Sequence, residues 1–222
     1  MARLPRLTVA GLPHLISQRA QDGQAMVRDD ADRLALLGLL RDAALQHHVA
    51  VHAYALLDTR LDLVATPQTA AGLSLLMQSV ARRHAAAYNR RHDRRGGLWE
   101  GRFRAAVLDP QTWLLRCLVQ VERSPAGGGW VSRAPHAGSA AAPAIVDPDA
   151  YWRLGNTPFE REAAYENLRQ RALTSAEISQ MEGALRGGWP LGAEAFVAAL
   201  GAGTPRPVRP RSRGRPPRVG AL

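Results

Sequence analysis

The order of hydrophobic patterns along the first 125 residues predicts an α+β fold. The patterns follow one another as strand, helix, strand, strand, helix, strand. This order is typical of a ferredoxin-like fold, which is an antiparallel sheet with two helices on one face. Several C-terminal helices and a disordered basic tail are expected to follow this domain.

The first strand and the first helix are predicted within residues 12–47. Residues 12–19 are short and mixed in character, and they predict a strand. Asp29 and Asp30 are good N-cap candidates, because an aspartate oxygen can accept from the free N–H groups that begin a helix. Apolar residues then recur at the spacing of one helical face: Leu36, Leu37, Leu40, Ala43 and Ala44.

A hairpin and a second long helix follow. Residues 49–57 and 62–65 predict two strands, joined by a polar turn at residues 58–60. Residues 69–92 predict a helix, because their apolar and aromatic positions fall on one stripe: Leu73, Leu76, Met77, Val80, His84 and Tyr88. Residues 105–109 predict the last strand of the sheet.

The remaining segments are assigned by composition and capping signals. Residues 110–123 predict a third helix with a proline in its first turn, so the ferredoxin-like domain is assigned to residues 1–125. Residues 126–146 are rich in Ala, Gly, Pro and Ser and predict a linker. Residues 147–200 predict a helical extension, in which Thr157 is an N-cap candidate. Residues 201–222 contain Pro, Arg and Gly with few apolar residues, so a disordered tail is expected.

The charge of the chain favours a polyanionic partner. The 222 residues carry a formal net charge of +10, and the sequence pI is about 11.2. Every basic residue is arginine. A GC-rich genome would explain that choice of basic residue, but not the excess of basic over acidic residues.

The same composition favours a cytoplasmic protein. A single cysteine, Cys117, excludes an internal disulfide framework and fits a reducing compartment. The N-terminal residues lack the long apolar region of a secretory signal. No run approaches the roughly eighteen apolar residues that a membrane helix needs, so no membrane partner is expected.

Arginines and aromatic residues are concentrated between the second helix and the last strand. Residues 88–109 read Y-N-R-R-H-D-R-R-G-G-L-W-E-G-R-F-R-A-A-V-L-D. Guanidinium groups pair with phosphates and aromatic rings stack on bases, so this segment suits nucleic acid. A solvated arginine surface with one anchoring tryptophan explains the same residues equally well.

This segment resembles the arginine-rich segment of the REP-associated tyrosine transposases, bacterial relatives of the single-tyrosine HUH-type transposases. The resemblance extends over roughly residues 5–200 and is thin between residues 126 and 146. It implies a ferredoxin-like core, and DNA with a hairpin or single-stranded element as the partner. Active members of that family move mobile elements by tyrosine-mediated DNA cleavage and joining.

The catalytic residues of the active family members are replaced in this chain. Two metal-binding histidines would fall at Arg60 and Asp62, and residues 53–83 contain no histidine. The nucleophilic tyrosine would fall at Gln120, and no tyrosine occurs between Tyr88 and Tyr151. The divalent metal of the active relatives therefore lacks its ligands, and no cofactor and no catalytic residue are expected. The resemblance thus predicts a member that binds DNA without cleaving it.

The residues expected to bind DNA are mostly arginines of the second helix, the turn and the tail. In the tail, Arg-Gly-Arg-Pro resembles the core of an AT-hook, whose extended arginines enter a narrow minor groove. The complete set is Arg82, Arg83, Arg90, Arg91, Arg94, Arg95, Trp99, Arg102, Phe103, Arg104, Arg213 and Arg215.

Several other interpretations remain open at the sequence level. The chain could be drifting towards loss of function, could cleave DNA with substituted residues, or could be a non-enzymatic protein-interaction or dimerisation module that forms a homodimer. His47, His48 and His52 could be imagined as metal ligands, but ordinary surface and core histidines explain them better. Cys117 lies on an apolar helix face and is expected to be a packing residue.

Overall fold

A computed structural model describes residues 5–123, 129–133 and 141–210. The strands are β1 (His14–Arg19), β2 (Val49–Leu57), β3 (Arg60–Pro67), β4 (Arg104–Val107) and β5 (Trp130–Val131). The helices are α1 (Asp30–Gln46), α2 (Gly72–Arg91), α3 (Leu114–Arg123), α4 (Asp149–Trp152), α5 (Pro158–Gln170), α6 (Ser175–Gly187) and α7 (Glu194–Ala202).

The strands form one antiparallel sheet in the order β4-β1-β3-β2-β5. The first four have the order and direction of a ferredoxin-like sheet, so the predicted α+β fold is confirmed. In the central hairpin, Leu57 pairs with Arg60, so the turn contains only Asp58 and Thr59. The hairpin places the first residues of β3 opposite the end of β1, where Arg19 pairs with Arg60.

Helices α1 and α2 cover one face of the sheet. The predicted apolar stripes of both helices are buried, and they meet strand residues such as Ile16, Tyr54 and Leu63 in one cluster. Asp29 is the N-cap of α1, because its side chain accepts from the Asp32 backbone N–H at 3.0 Å. This confirms the capping prediction.

The opposite face is covered by α3 and the C-terminal helices. Leu15, Val64 and Ala106 point from the strands to this face and share a cluster with Leu114 and Leu118 of α3. The same cluster contains buried residues of the C-terminal segment: Tyr151, Tyr165, Met181, Ala184 and Leu191. The C-terminal helices therefore complete the core of the sheet.

Two segments differ from the sequence-based expectations. Within the predicted linker, Trp130 and Val131 form β5 on the outer edge of β2, because Trp130 finds an apolar site in the α1–α2 cluster. Within the predicted disordered tail, α7 continues to Ala202 and Arg206 is buried. The Arg206 Nη2 donates to the Gly188 carbonyl at 2.8 Å, which holds this part of the tail on α6.

One element boundary also differs from the prediction. Helix α3 begins at Leu114 rather than Pro110, because residues 110–113 form turns around Asp109. The Asp109 carboxylate accepts from the Gln111 N–H at 3.0 Å and from the Thr112 hydroxyl at 2.8 Å. The two capping boxes of the C-terminal segment are formed as their sequences indicate, at Thr157 with Glu160 and at Thr174 with Glu177.

Candidate nucleic-acid interface

The arginine-rich turn after α2 is held in a fixed conformation by local hydrogen bonds. The Asn89 side chain donates to the Gly96 carbonyl at 3.0 Å, and Gly96 adopts a φ of 89° that favours glycine. Gln24 donates from its amide to the Gly97 carbonyl, and the Gln21 N–H donates to the Leu98 carbonyl at 2.9 Å. The turn therefore lies against residues 20–24 as a built part of the fold.

The aromatic residues of this turn point inward. The Trp99 indole N–H donates to the Ala81 carbonyl of α2 at 2.9 Å, and its ring packs against the α1–α2 cluster. Phe103 is only 8% exposed, and the Arg6 guanidinium carbon lies 3.6 Å from its ring centroid. Both rings anchor the turn, so the expectation that Trp99 and Phe103 stack on bases does not fit their placement.

The predicted arginines fall into two groups. In the first group the guanidinium is already paired: Arg91 bonds to Asp29 and Asp32, Arg94 to Asn89 and Gln24, and Arg104 to Glu100 at 3.4 Å. The second group is formed by Arg82, Arg83, Arg90, Arg95 and Arg102. These five are exposed, and none has an ion pair or side-chain hydrogen bond within the described part of the chain. The guanidiniums of the second group are therefore open to solvent.

A larger basic feature lies between the sheet edge and α6, and we call it the arginine cleft. It consists of three adjoining cavities: an outer one of about 250 Å³, a middle one of about 260 Å³ and an inner one of about 90 Å³. The outer and middle cavities share Arg104 and Arg186, and the middle and inner cavities share Ser17 and Arg19. The cleft is therefore continuous from the turn to the middle of the sheet.

The lining of the arginine cleft is strongly positive. Seven arginines line its three cavities: Arg6, Arg19, Arg60, Arg102, Arg104, Arg186 and Arg206. Only two acidic residues, Asp62 and Glu182, line the same cavities. So large an excess of one sign in a concave site concentrates a field that attracts anions.

The three positions singled out by the transposase resemblance meet at the inner cavity. Arg60 and Asp62 of β3 line it together with Gln120 of α3. The Arg60 Nε lies 2.7 Å from an Asp62 carboxylate oxygen. Burial raises the pKa of Asp62 above its ordinary value, against the opposing effect of Arg60 and of a hydrogen bond from Ser17. Sequence positions far apart in the chain are thus brought into one site.

The three positions at the inner cavity carry one guanidinium, one carboxylate and one amide. Asp62 supplies the only carboxylate among the three positions, and the Arg60 guanidinium already pairs with it. Gln120 has no group able to form a covalent bond to phosphorus. With Arg19 and Arg60 facing Asp62 and Glu182, the formal charges that line the inner cavity balance.

Of the three histidines considered as metal ligands, His52 has other side-chain partners. His52 is buried, with Nδ1 2.6 Å from the Val146 carbonyl and Nε2 2.8 Å from the Thr66 hydroxyl. Burial lowers its pKa, so the neutral imidazole is favoured. His47 and His48 lie at the end of α1. No three metal-ligating side chains converge anywhere in the ranges that the structure describes.

Cys117 is fully buried in the apolar cluster between the sheet, α3 and the C-terminal helices. Burial raises the pKa of its thiol, which disfavours the reactive thiolate. The prediction that Cys117 is a packing residue is confirmed. Arg213 and Arg215 of the Arg-Gly-Arg-Pro motif lie outside the described residues.

Four arginines of the cleft were not found from the sequence. Arg6, Arg19, Arg186 and Arg206 lie outside the arginine-rich turn, and no motif marks them. They share the cleft because α6 packs against β4 and β1, and the sequence carries no local signal of that contact. Arg186 is the basic residue in the last turn of α6.

Comparison with known proteins gives fold neighbours of limited similarity. One is a REP-associated tyrosine transposase bound to a REP hairpin, with 10% identity, a TM-score of 0.45, and coverage of 56% of this chain and 73% of that one. Another is a proposed transposase from Deinococcus radiodurans R1, with 23% identity, a TM-score of 0.36, and coverage of 50% and 89%. The sequence matches no protein-family model and no curated protein.

Both neighbours are described as transposases, in agreement with the resemblance carried by residues 88–109. At these identities and TM-scores they carry no argument about ligand or reaction. Across the described residues, no helix combines the length and the apolar character needed to cross a bilayer.

Proposed function

We propose that this protein binds DNA through the arginine cleft and the exposed arginines of the adjacent turn. The observation that carries the proposal is the lining of the cleft, in which seven arginines face two acidic residues. Arg102 lies in the turn and also lines the outer cavity, so the two basic surfaces adjoin. Guanidinium groups bind phosphate oxygens with paired, charge-assisted hydrogen bonds.

The size of the cleft favours an unpaired strand. Its cavities of about 250 and 260 Å³ are large enough for phosphates and single nucleotides, but far too small for a duplex. A hairpin with a single-stranded flank would satisfy both surfaces, because its stem can meet exposed arginines outside the cleft. The hairpin or single-stranded partner implied by the transposase resemblance is therefore retained as part of the proposal.

We further propose that the bound DNA is not cleaved. Arg60, Asp62 and Gln120 line the inner cavity, where active relatives would hold a metal and a nucleophilic tyrosine. Arg60 can neutralise a phosphate charge, but it cannot ligate a metal because it stays protonated. Binding without strand cleavage is the activity that these residues support best.

The test is a titration of fluorescent hairpin, single-stranded and duplex DNA at several salt concentrations. With about six phosphates contacted, log K is expected to fall with log salt with a slope near −4 on single strands and near −5 on duplex. The same mixtures, with and without magnesium or manganese, would be run on a denaturing gel. Hairpin or single-strand preference with intact DNA supports the proposal.

A matched pair of double variants localises the binding. Arg104→Ala with Arg186→Ala removes two charges from the cleft, and Arg153→Ala with Arg171→Ala removes two exposed charges outside it. The first pair is expected to make the single-strand slope shallower by about 1.4, and the second to leave it unchanged. Equal effects would show a diffuse attraction and contradict binding in the cleft. A metal-dependent cut would contradict the loss of cleavage.

A further inference from the structure

The outer cavity of the arginine cleft has an unusual composition. Five arginines line it, and no acidic residue does: Arg6, Arg102, Arg104, Arg186 and Arg206. Its remaining lining is apolar or glycine, apart from backbone groups. Elsewhere in the cleft Glu182 and Asp62 offset part of the charge, so the outer cavity is the most positive section.

Arg206 is the most buried of the arginines that line this cavity. It is only 8% exposed, whereas Arg102 and Arg186 are exposed. Its Nη2 donates to the Gly188 carbonyl at 2.8 Å, and its guanidinium carbon lies 5.5 Å from the Trp189 ring centroid. These two contacts fix the plane of the guanidinium.

The other two nitrogens of the Arg206 guanidinium have no hydrogen-bond partner among the described residues. Its Nε and Nη1 are buried without a hydrogen bond to any described residue. Leaving charged donors buried and unpaired is unfavourable, so such groups normally find an acceptor in the folded protein or in a ligand. Burial also lowers the pKa of Arg206.

We propose that the outer cavity binds a dianionic phosphate group, with Arg206 as its most buried contact. Arg104 is paired with Glu100, and the other four guanidiniums still exceed what a singly charged phosphodiester needs. A phosphomonoester presents a second charge and a further free oxygen. The proposal rests on the proposed function for its source, which is the phosphorylated end of a DNA strand. The strand would continue into the middle cavity, because Arg104 and Arg186 line both cavities.

The experiment compares one single-stranded oligonucleotide with a 5′-phosphate, a 3′-phosphate or hydroxyl groups at both ends. Fluorescence anisotropy is measured with the wild-type chain, Arg206→Met and Arg102→Ala. We expect one phosphorylated form to bind about tenfold more tightly than the hydroxyl form, because a second charge meets additional charge-assisted donors. Arg206→Met is expected to remove the preference, and Arg102→Ala, at an exposed position, to reduce it without affecting folding.

A second arm uses inorganic phosphate at constant ionic strength and measures the melting temperature. If phosphate raises the melting temperature of the wild type but not that of Arg206→Met, the phosphate site is supported, whether or not DNA binds. A complete lack of DNA binding would overturn the proposed function and leave the phosphate site standing. Equal affinity for all three oligonucleotides, with no stabilisation by inorganic phosphate, would overturn the phosphate site. In that case measurable DNA affinity would leave the proposed function standing.

Discussion

Arg90 and Arg91 are neighbours at the end of α2, yet they have different surroundings. Arg90 is exposed and has no side-chain partner in the described ranges. Arg91 bonds to Asp29 and to Asp32, which is only 3% exposed. Burial would raise the pKa of Asp32, but hydrogen bonds from the Arg28 N–H, Arg91 and His92 outweigh it and hold that pKa below its ordinary value. The ion pair ties the end of α2 to the start of α1.

Alanine substitutions at these two positions should therefore act on different properties. Arg91→Ala is expected to lower the free energy of unfolding by about 2 kcal/mol, because a buried carboxylate loses a charged donor. Arg90→Ala should change it by less than about 0.5 kcal/mol and weaken DNA binding. Urea denaturation and anisotropy titrations of both variants would check this. Equal losses of stability would contradict the assignment of Arg91 to the fold.

At the scale of elements, a buried carboxylate joins α3, α5 and β5. Glu122 of α3 is 3% exposed and accepts from the Tyr165 hydroxyl and the Ser132 hydroxyl, each at 2.8 Å. The Arg133 Nε lies 3.4 Å from the same carboxylate. Burial raises the pKa of Glu122, and these partners oppose that rise. The network therefore fixes the C-terminal segment to the second face of the sheet.

Tyr165→Phe should destabilise the protein by about 1–2 kcal/mol, because the carboxylate loses a donor while it stays buried. The pKa of Glu122 is raised in the folded protein. Its contribution to stability is therefore favourable at low pH, where the group is protonated, and becomes unfavourable as the pH rises through that pKa. The loss in the variant should thus be larger in neutral buffer than at pH 4.5, the ordinary pKa of a glutamate. Denaturation at both pH values would measure it.

Tyr151→Phe is the matched control for this variant. Tyr151 is also buried and lies 5.4 Å from Tyr165 between ring centroids, but its hydroxyl has no hydrogen bond to the described residues. Removal of the Tyr151 hydroxyl should change the free energy of unfolding little at either pH. A similar pH-dependent loss in both variants would exclude the Glu122 network as the cause.

At the scale of the whole molecule, the transposase-like domain and the C-terminal helices share one core. Leu15, Leu114 and Leu118 bury themselves against residues that follow position 150, including Tyr165 and Met181. Burial of apolar area is the main stabilising contribution to such a core. Residues 1–125 and 147–200, which the sequence analysis separates by a predicted linker, therefore share one core in the structure.

A chain truncated after Val146 should fail to form a soluble, cooperatively folded protein, because the apolar residues of the sheet and of α3 that the C-terminal helices cover would be exposed to water. A chain truncated after Pro210 should unfold cooperatively with a melting temperature close to that of the full chain, since the contacts within residues 141–210 remain. Circular dichroism and thermal denaturation of both truncations would decide this. A stable product ending at Val146 would contradict the shared core.

The sequence by itself determined the order of the elements and most of their faces. Hydrophobic periodicity depends on local geometry, so the stripe from Leu73 to Tyr88 and the limits of β2 were readable directly. Capping signals at Asp29 and Thr157 were also readable, because a cap bonds within its own turn. The transposase resemblance pointed correctly to the fold.

Only the tertiary structure decided which of these side chains are buried or paired and which line the cleft. Trp99 and Phe103 stand among arginines in the sequence but anchor the turn, and Arg91 serves an ion pair across the α1–α2 contact. Arg19, Arg186 and Arg206 come together because α6 crosses the sheet edge. A site formed by elements distant in the chain depends on how those elements pack together. Contacts of that kind leave no periodic pattern in the sequence.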